Sequence, residues 1–360
     1  MTRRFGSAAT TTALATAVLA LSSAGGHVVH AETTVPSPEV LCHVDDPRLV
    51  ELSGLAADAD HVYAVADGGE RLEVAVLDDE CRVRDVLTAP TDPYDVEDLA
   101  LAADGTLWLG DTGDNRARRE TVAVHALSRD GSSELYRLTY PDGPRDAEAL
   151  VVDDSGTPYI ITKSALGVAR VYRPAEPLAS PGPTPLEEVG TVPFRPTDTP
   201  GGPVGPVGSV TVTGAALSAD GSVVALRTYT DAYLYPVTDG DIAEAFTRDP
   251  VRVPLPDEPQ GEAIAFTPEG TLLSASEGSG EPLRAVPDAV SLVPPAESTE
   301  STEDTEDTEA AERRHSADGE SSASEVPDDS ETGLGSVPAI AVAAVGAALL
   351  VFWGSRRRRT

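Results

Sequence analysis

The chain is 360 residues long and carries 26 basic against 60 acidic side chains, a formal net charge of −34. Such a surface repels phosphate backbones and has no basic stripe, which excludes nucleic acid as a partner. With only Cys42 and Cys81 present, a CxxC redox centre and a cysteine-built metal site are excluded as well.

The first residues follow the plan of a secretory signal. Arg3 and Arg4 precede an apolar stretch from Ala13 to Leu21, and Val29-His30-Ala31 offers small residues where a signal peptidase reads. Cleavage is expected after Ala31, by the general route, because Phe5-Gly6 does not supply the longer twin-arginine consensus. In an exported chain with no third cysteine to compete, Cys42 and Cys81 are expected to form a disulfide. Closing a loop of about 40 residues would add roughly 4 kcal/mol on the chain-entropy account.

Residues 40–295 read as one all-β domain, with few helix-period runs, many Asp-Gly turns and short apolar strands. Five segments superpose: Ser53 to Asp60, Glu97 to Gly105, Glu148 to Gly156, Thr213 to Gly221 and Glu262 to Gly270. Each opens on a polar residue, runs through small apolar ones, turns, and enters a second strand: Val62 to Val65, Thr106 to Leu109, Thr157 to Ile161, Ser222 to Leu226 and Thr271 to Ser274. The repeat heads lie 44, 51, 65 and 49 residues apart. A hairpin at the head of a unit this long is what a four-stranded propeller blade needs. The longest interval holds a Pro/Gly-rich insertion, from Pro174 to Pro206, which reads as a surface loop around a strand at Glu188 to Phe194. Later strands are visible at Glu73 to Leu77 with Val83 to Leu87, and at Val122 to Leu127 with Leu135 to Leu138. The segment from Val40 to Leu52 is expected to give the last blade its outer strand and so close the ring. Five blades are countable, and a degenerate sixth is left open.

The Ser53-Gly-Leu opening with Val62-Tyr-Ala-Val, the Asp111-Thr-Gly-Asp-Asn115 run and Asp146-Ala-Glu-Ala-Leu resemble the secreted propellers grouped with phytase-like and SMP-30/gluconolactonase-like proteins. The resemblance covers residues 45 to 285. It implies a propeller whose central channel is lined by carboxylates and is often occupied by calcium. It also implies a metal-dependent hydrolase acting on phosphoesters or lactones.

The residues add a more local expectation. In an antiparallel hairpin the start of one strand lies beside the end of the next, so the repeat heads and the ends of the second strands share one face of the disc. That channel mouth is predicted to hold Asp67, Glu97, Glu148, Glu262 and Glu277 against Lys163, the chain's only lysine, and Arg227. Carboxylates crowded in this way must keep protons, attract cations or bind a metal. All-oxygen donors select a hard ion such as Ca2+, and Asp111, Asp114 and Asn115 are candidate ligands beside the mouth. His43, His61 and His125 lie next to strands and read as structural. No nucleophile elbow, Walker loop or HExxH motif occurs. The sequence therefore points to a monomeric binding protein that takes an extracellular ligand or protein partner through its mouth, with the hydrolase as the alternative.

Beyond the domain, residues 296–332 are acidic and nearly free of apolar side chains. Ordering them would cost roughly 1–2 kcal/mol per residue with nothing to bury, so a disordered stalk is expected. With the stalk, leader and tail set aside, the charge left on residues 32–295 is −28. Residues 333–354, including the uncharged run Val337 to Trp353, are expected to form one transmembrane helix. The basic tail 355–360 would stay cytoplasmic, leaving the N-terminus outside. A sortase-attached protein is the rival layout: Asp329-Ser-Glu-Thr-Gly333 keeps the Thr-Gly of a sorting pentapeptide and lacks its Leu-Pro.

Overall fold

The computed structural model describes residues 35–295. The leader, the stalk and the membrane helix expected from the sequence lie outside those residues. Among the described residues no helix is long and apolar enough to cross a membrane.

The domain is built from four-stranded antiparallel blades. Blade one is β2 (Leu52–Ala57), β3 (Val62–Ala66), β4 (Leu72–Leu77) and β5 (Val83–Ala89). Blade two is β6 (Asp98–Leu101), β7 (Leu107–Asp111), β8 (Val122–Leu127) and β9 (Ser133–Thr139). Blade three is β10 (Ala147–Val152), β11 (Pro158–Thr162), β12 (Val168–Pro174) and β13 (Thr184–Pro193). Blade four is β14 (Val212–Leu217), β15 (Val223–Thr228), β16 (Asp231–Pro236) and β17 (Val251–Pro254). Blade five is β18 (Gly261–Phe266), β19 (Leu272–Ser276) and β20 (Glu281–Val286), completed by the N-terminal strand β1 (Glu39–Val44). No sixth blade occurs among the described residues. The insertion after Pro174 is partly regular, because Thr184–Pro193 is the outer strand of blade three and pairs briefly, in parallel, with β9 of blade two.

The innermost strands meet in a cycle: β2 against β6, β6 against β10, β10 against β14, β14 against β18, and β18 against β2. Each junction has its own apolar core. Tyr63 and Val65 point from β3 toward Leu99 and Leu109 of blade two, while Ala64 points the other way, toward Ala263 and Leu273 of blade five. The two-residue period of a strand thus feeds two interfaces at once, which is why these strands are apolar at consecutive positions. Small residues let the inner strands approach: a Cβ on Gly54 would lie 2.5 Å from the Leu99 amide nitrogen.

Ring closure is reinforced covalently. Cys42 of β1 in blade five bonds Cys81, in the β4–β5 turn of blade one, with Cα atoms 5.8 Å apart. The expected disulfide therefore spans the seam where the two ends of the domain meet.

Candidate functional site

Register explains how polar side chains reach the mouth. In blade one Leu52 pairs with Ala66 but Gly54 pairs with Val65, so Ser53 is an extra residue in a β-bulge. Glu148, Thr213 and Glu262 are the extra residues at the same point of blades three, four and five. Glu97 stands one residue ahead of β6, its amide donating to Gly110 O at 2.8 Å. A bulge re-aims the side chain it frees, and here it does so at the heads of blades one, three, four and five. Ser53 Oγ donates to the Glu97 carbonyl at 2.6 Å and Thr213 Oγ1 to the Gly261 carbonyl at 2.9 Å, tying each blade to the next.

The ladder then runs on past the bulge. The amides of Asp67, Lys163 and Glu277 donate to the carbonyls of Glu51, Asp146 and Gln260 at 2.8, 3.0 and 2.9 Å. In blade two the same role falls to Gly113, whose amide donates to Asp95 O at 3.2 Å. A Cβ on Gly113 would collide with Glu97 Oε1 and lie 2.5 Å from Asp95 Oδ2. The missing side chain is what lets these two carboxyls occupy the mouth.

Two groups of carboxylates result, and Glu97 belongs to both. Asp67, Asp95 and Glu97 bring ligand oxygens within 4.8 Å of one another, as do Glu97, Asp146 and Glu148. These groups have the oxygen-only donor set that a hard divalent cation takes. The Lys163 ammonium donates to Glu148 Oε1 and lies 5.4 Å from the centre of the Tyr229 ring. Glu148 Oε2 is buried with no hydrogen-bond partner.

The electrostatics follow from this crowding. Burial, the hydrogen bond with Asp95, and the charges of Asp95, Glu51 and Glu277 push Asp67 up to about 9. Glu262 rises to about 8 because burial and Glu277 outweigh the pull of Lys163, Gln260 and Arg227. Glu97 and Glu148 are both raised well above the carboxylate range, by burial first and then by neighbouring acids. Burial opposes the charge on Lys163, but Glu148, Tyr229, Glu262 and Asp146 overcome it and hold the ammonium firmly protonated.

Of the residues predicted for the mouth, Asp67, Glu97, Glu148, Lys163, Glu262 and Glu277 are in electrostatic reach of one another. Arg227 is not a free mouth cation. It is fully buried, donates to Glu258 Oε2 at 2.7 Å and to the carbonyls of Ala263 and Ala275 at 2.9 and 3.3 Å, and so braces blade four against blade five. Arg227 faces Gly214, two residues short of the point where Asp67, Lys163 and Glu277 stand, and Tyr229 takes that place. The Asp111, Asp114 and Asn115 group does not converge as ligands. Asp111 accepts the amides of Tyr94 and Asp95 at 3.1 and 3.0 Å, Arg119 at 2.9 Å and His125 at 3.2 Å. Burial would raise its carboxyl, but His125, Arg119 and those amides hold it at about 2. Its role is to fix the loop that carries Asp95. Asp114 accepts the amides of Arg118 and Arg119 at 2.6 and 2.7 Å, and Asn115 is exposed.

Sequence reasoning missed Asp95, Asp146, Gln260 and Tyr229. A signal was there: Asp95-Val-Glu97, Asp146-Ala-Glu148 and Gln260-Gly-Glu262 repeat one polar-x-acid pattern at three repeat heads.

No family model matches the chain, and neither does any curated protein. Solved structures similar to it include a streptogramin B lyase, at 10% identity and a TM-score of 0.33, covering 65% of this chain and 64% of that one. Another, described as a gluconolactonase, shows 17% identity and a TM-score of 0.37, with 63% of this chain and 70% of that one covered. The fold and site define a class by themselves: a five-bladed β-propeller, closed by its N-terminal strand, with an acidic channel mouth.

Proposed function

We propose that the protein captures a hard divalent cation, Ca2+ foremost, between Asp67, Asp95 and Glu97, and through it holds an extracellular ligand or partner at the channel mouth. One observation carries the reading: the chain's only lysine is spent on Glu148, whereas the groups that dominate at Asp67 are acids, Asp95, Glu51 and Glu277. Carboxylates so placed either retain a proton or bind a cation. Three carboxylates leave further coordination positions of Ca2+ to waters, carbonyls or a ligand, so the ion can serve as the handle for an oxygen-rich partner. Lys163 offers no separate anion receptor, because its charge is matched by Glu148 with Asp146 and Glu262 nearby.

Calorimetric titration of the purified chain with CaCl2 tests this. Saturable binding is expected, with a rise in melting temperature; at a hundredfold excess over Kd, binding to the folded state alone adds about 2.7 kcal/mol. Asp67→Asn with Glu97→Gln should remove both signals. Absence of heat and of any thermal shift at millimolar Ca2+ would sink the proposal.

A second reading, Ca2+-dependent hydrolysis of a phosphoester or lactone, is favoured by Glu262 alone, a buried carboxyl that exchanges its proton near pH 8. That is the property a general acid or base requires. If it holds, Glu262→Gln abolishes turnover of such esters and leaves Ca2+ binding in place; a panel of phosphoesters and lactones that shows no turnover with Ca2+ present removes it.

The address proposed for this activity is the outer face of a cell membrane, with the monomeric propeller held off the bilayer by the acidic stalk. Its support is the leader, the stalk composition and the apolar run before the basic tail. A mature N-terminus at Glu32 and retention in the membrane fraction are the expected outcomes. Release of the chain by cell-wall hydrolases would instead favour sortase attachment.

A further inference from the structure

The carboxylate groups that share Glu97 differ in one respect. Beside Glu97, Asp146 and Glu148 the chain places an ammonium of its own, whereas Asp67, Asp95 and Glu97 belong to blades one and two, away from the strand that supplies it. The Lys163 side chain is 19% exposed and reaches Glu148, itself 2% exposed, with the Tyr229 ring beneath it. A positive charge among acids and over an aromatic face is a cation in a built receptor. Glu148 uses only one oxygen on it; the other is buried and unpartnered. A buried acceptor without a partner is costly, and ligation of a metal ion would satisfy it.

We infer that Glu97, Asp146 and Glu148 form a second divalent-cation subsite in which Lys163 is the resident cation, so that Lys163 limits the mouth to one metal ion. The inference rests on the reading that Asp67, Asp95 and Glu97 hold the first. Lys163 is therefore a specificity-determining residue: it fixes how many ions enter, and a second ion enters only by displacing it from Glu148. Proximity of carboxylates is insufficient by itself, as Asp58, Asp60 and His61 illustrate. They too lie within 4.8 Å of one another, but Asp58 is committed to Arg129, the Tyr63 hydroxyl and the amides of Asp60 and His61. Asp60 and His61 are exposed, and no buried acceptor there lacks a partner.

The test counts Ca2+ bound per chain by equilibrium dialysis for the unaltered protein, Lys163→Met, and Lys163→Met with Glu148→Gln. The expected counts are one, two and one. One ion bound by both the unaltered protein and Lys163→Met overturns the inference and leaves the first subsite standing. No ion on the unaltered protein but one on Lys163→Met supports the inference and removes the first subsite, and no ion on either removes both. Two ions on the unaltered protein at the Ca2+ concentration that just saturates the first subsite also overturn the inference, since Lys163 would then exclude nothing. Should Lys163→Met unfold without metal, the unaltered protein still decides. Amine-reactive labelling of Lys163 should rise in a second, weaker phase of a Ca2+ titration, and labelling that only falls contradicts displacement.

Discussion

Asp98 and Glu148 stand on neighbouring inner strands, both withdrawn from water, yet their surroundings differ. Asp98 Oδ2 accepts the amides of Leu150 at 2.8 Å and Ala215 at 3.0 Å, and Oδ1 accepts that of Leu99 at 2.8 Å. One carboxyl thus stitches blades two, three and four together at the axis. Glu148, lifted out of its ladder by the bulge, has Lys163 on one oxygen and no partner on the other. The lesson is that burial alone does not mark a functional acid. Where backbone amides converge on a carboxyl it is a strut; where a bulge turns it into the mouth among other acids, its bonding capacity is left for an ion.

The strongest way to break that contrast is Asp98→Ala. It strands amides from neighbouring blades in a dry site at roughly 1–3 kcal/mol each, so a loss of about 4 kcal/mol is expected. The readout is the denaturant midpoint at constant slope. A loss below about 1 kcal/mol would mean that the axis does not depend on this carboxyl, and the distinction between strut and reserve would fall with it.

Asp67→Asn should act with the opposite sign. Its carboxyl lies near 9 in the folded chain against an ordinary 3.8, so folding either keeps it protonated or forces charges together. Removing that conflict is expected to stabilise the metal-free protein by about 1 kcal/mol, allowing for solvent screening, while Ca2+ affinity collapses. Destabilisation with unchanged Ca2+ binding would place Asp67 among the struts.

The pH profile sharpens the same comparison. Asp67 and Glu262, with folded values near 9 and 8, contribute stability that is fully present below about pH 4 and lost as pH rises through 8 to 9. Asp111, held near 2, contributes stability that is present above about pH 4 and lost as pH falls through 2. Thermal melts without metal should therefore weaken on both limbs, and saturating Ca2+ should restore the alkaline limb alone. Equal restoration of both limbs would mean that the ion does not act through the mouth.

The ring was legible in the sequence because each blade repeats a polar head, a small-residue strand and a short turn that holds Gly in blades two to five, and because the chain spares an extra strand at its N-terminal side to close on β20. Register was not legible. The turn between the first two strands is longer in blade four, where Leu217 pairs with Val224, than in blade one, where Ala57 pairs with Val62, so Arg227, which faces Gly214, looked like a mouth residue when Tyr229 holds that position. Asp98 was hidden for a related reason: next to Glu97 it reads as a second surface acid, yet adjacent residues on a strand point to opposite sides. The Asp-x-Glu pattern that places Asp95 and Asp146 beside Glu97 and Glu148 needed only a comparison two residues ahead of each head.

The smallest effect separates the Asp111-Thr-Gly-Asp-Asn115 loop from the mouth. Asn115 is exposed, while Asp111 and Asp114 spend their carboxylates on amides and on side chains of their own blade. Asn115→Ala removes a solvated amide and is expected to change stability by under about 0.5 kcal/mol and Ca2+ affinity not at all. Asp111→Asn is the informative partner. It weakens the bonds that hold the Asp95 backbone, so Ca2+ affinity should drop through misplacement of Asp95, with the number of ions bound unchanged. If Asn115→Ala instead weakened Ca2+ binding as much as Asp111→Asn, the loop itself would be ligating the ion, and the first subsite would have to be redrawn around it.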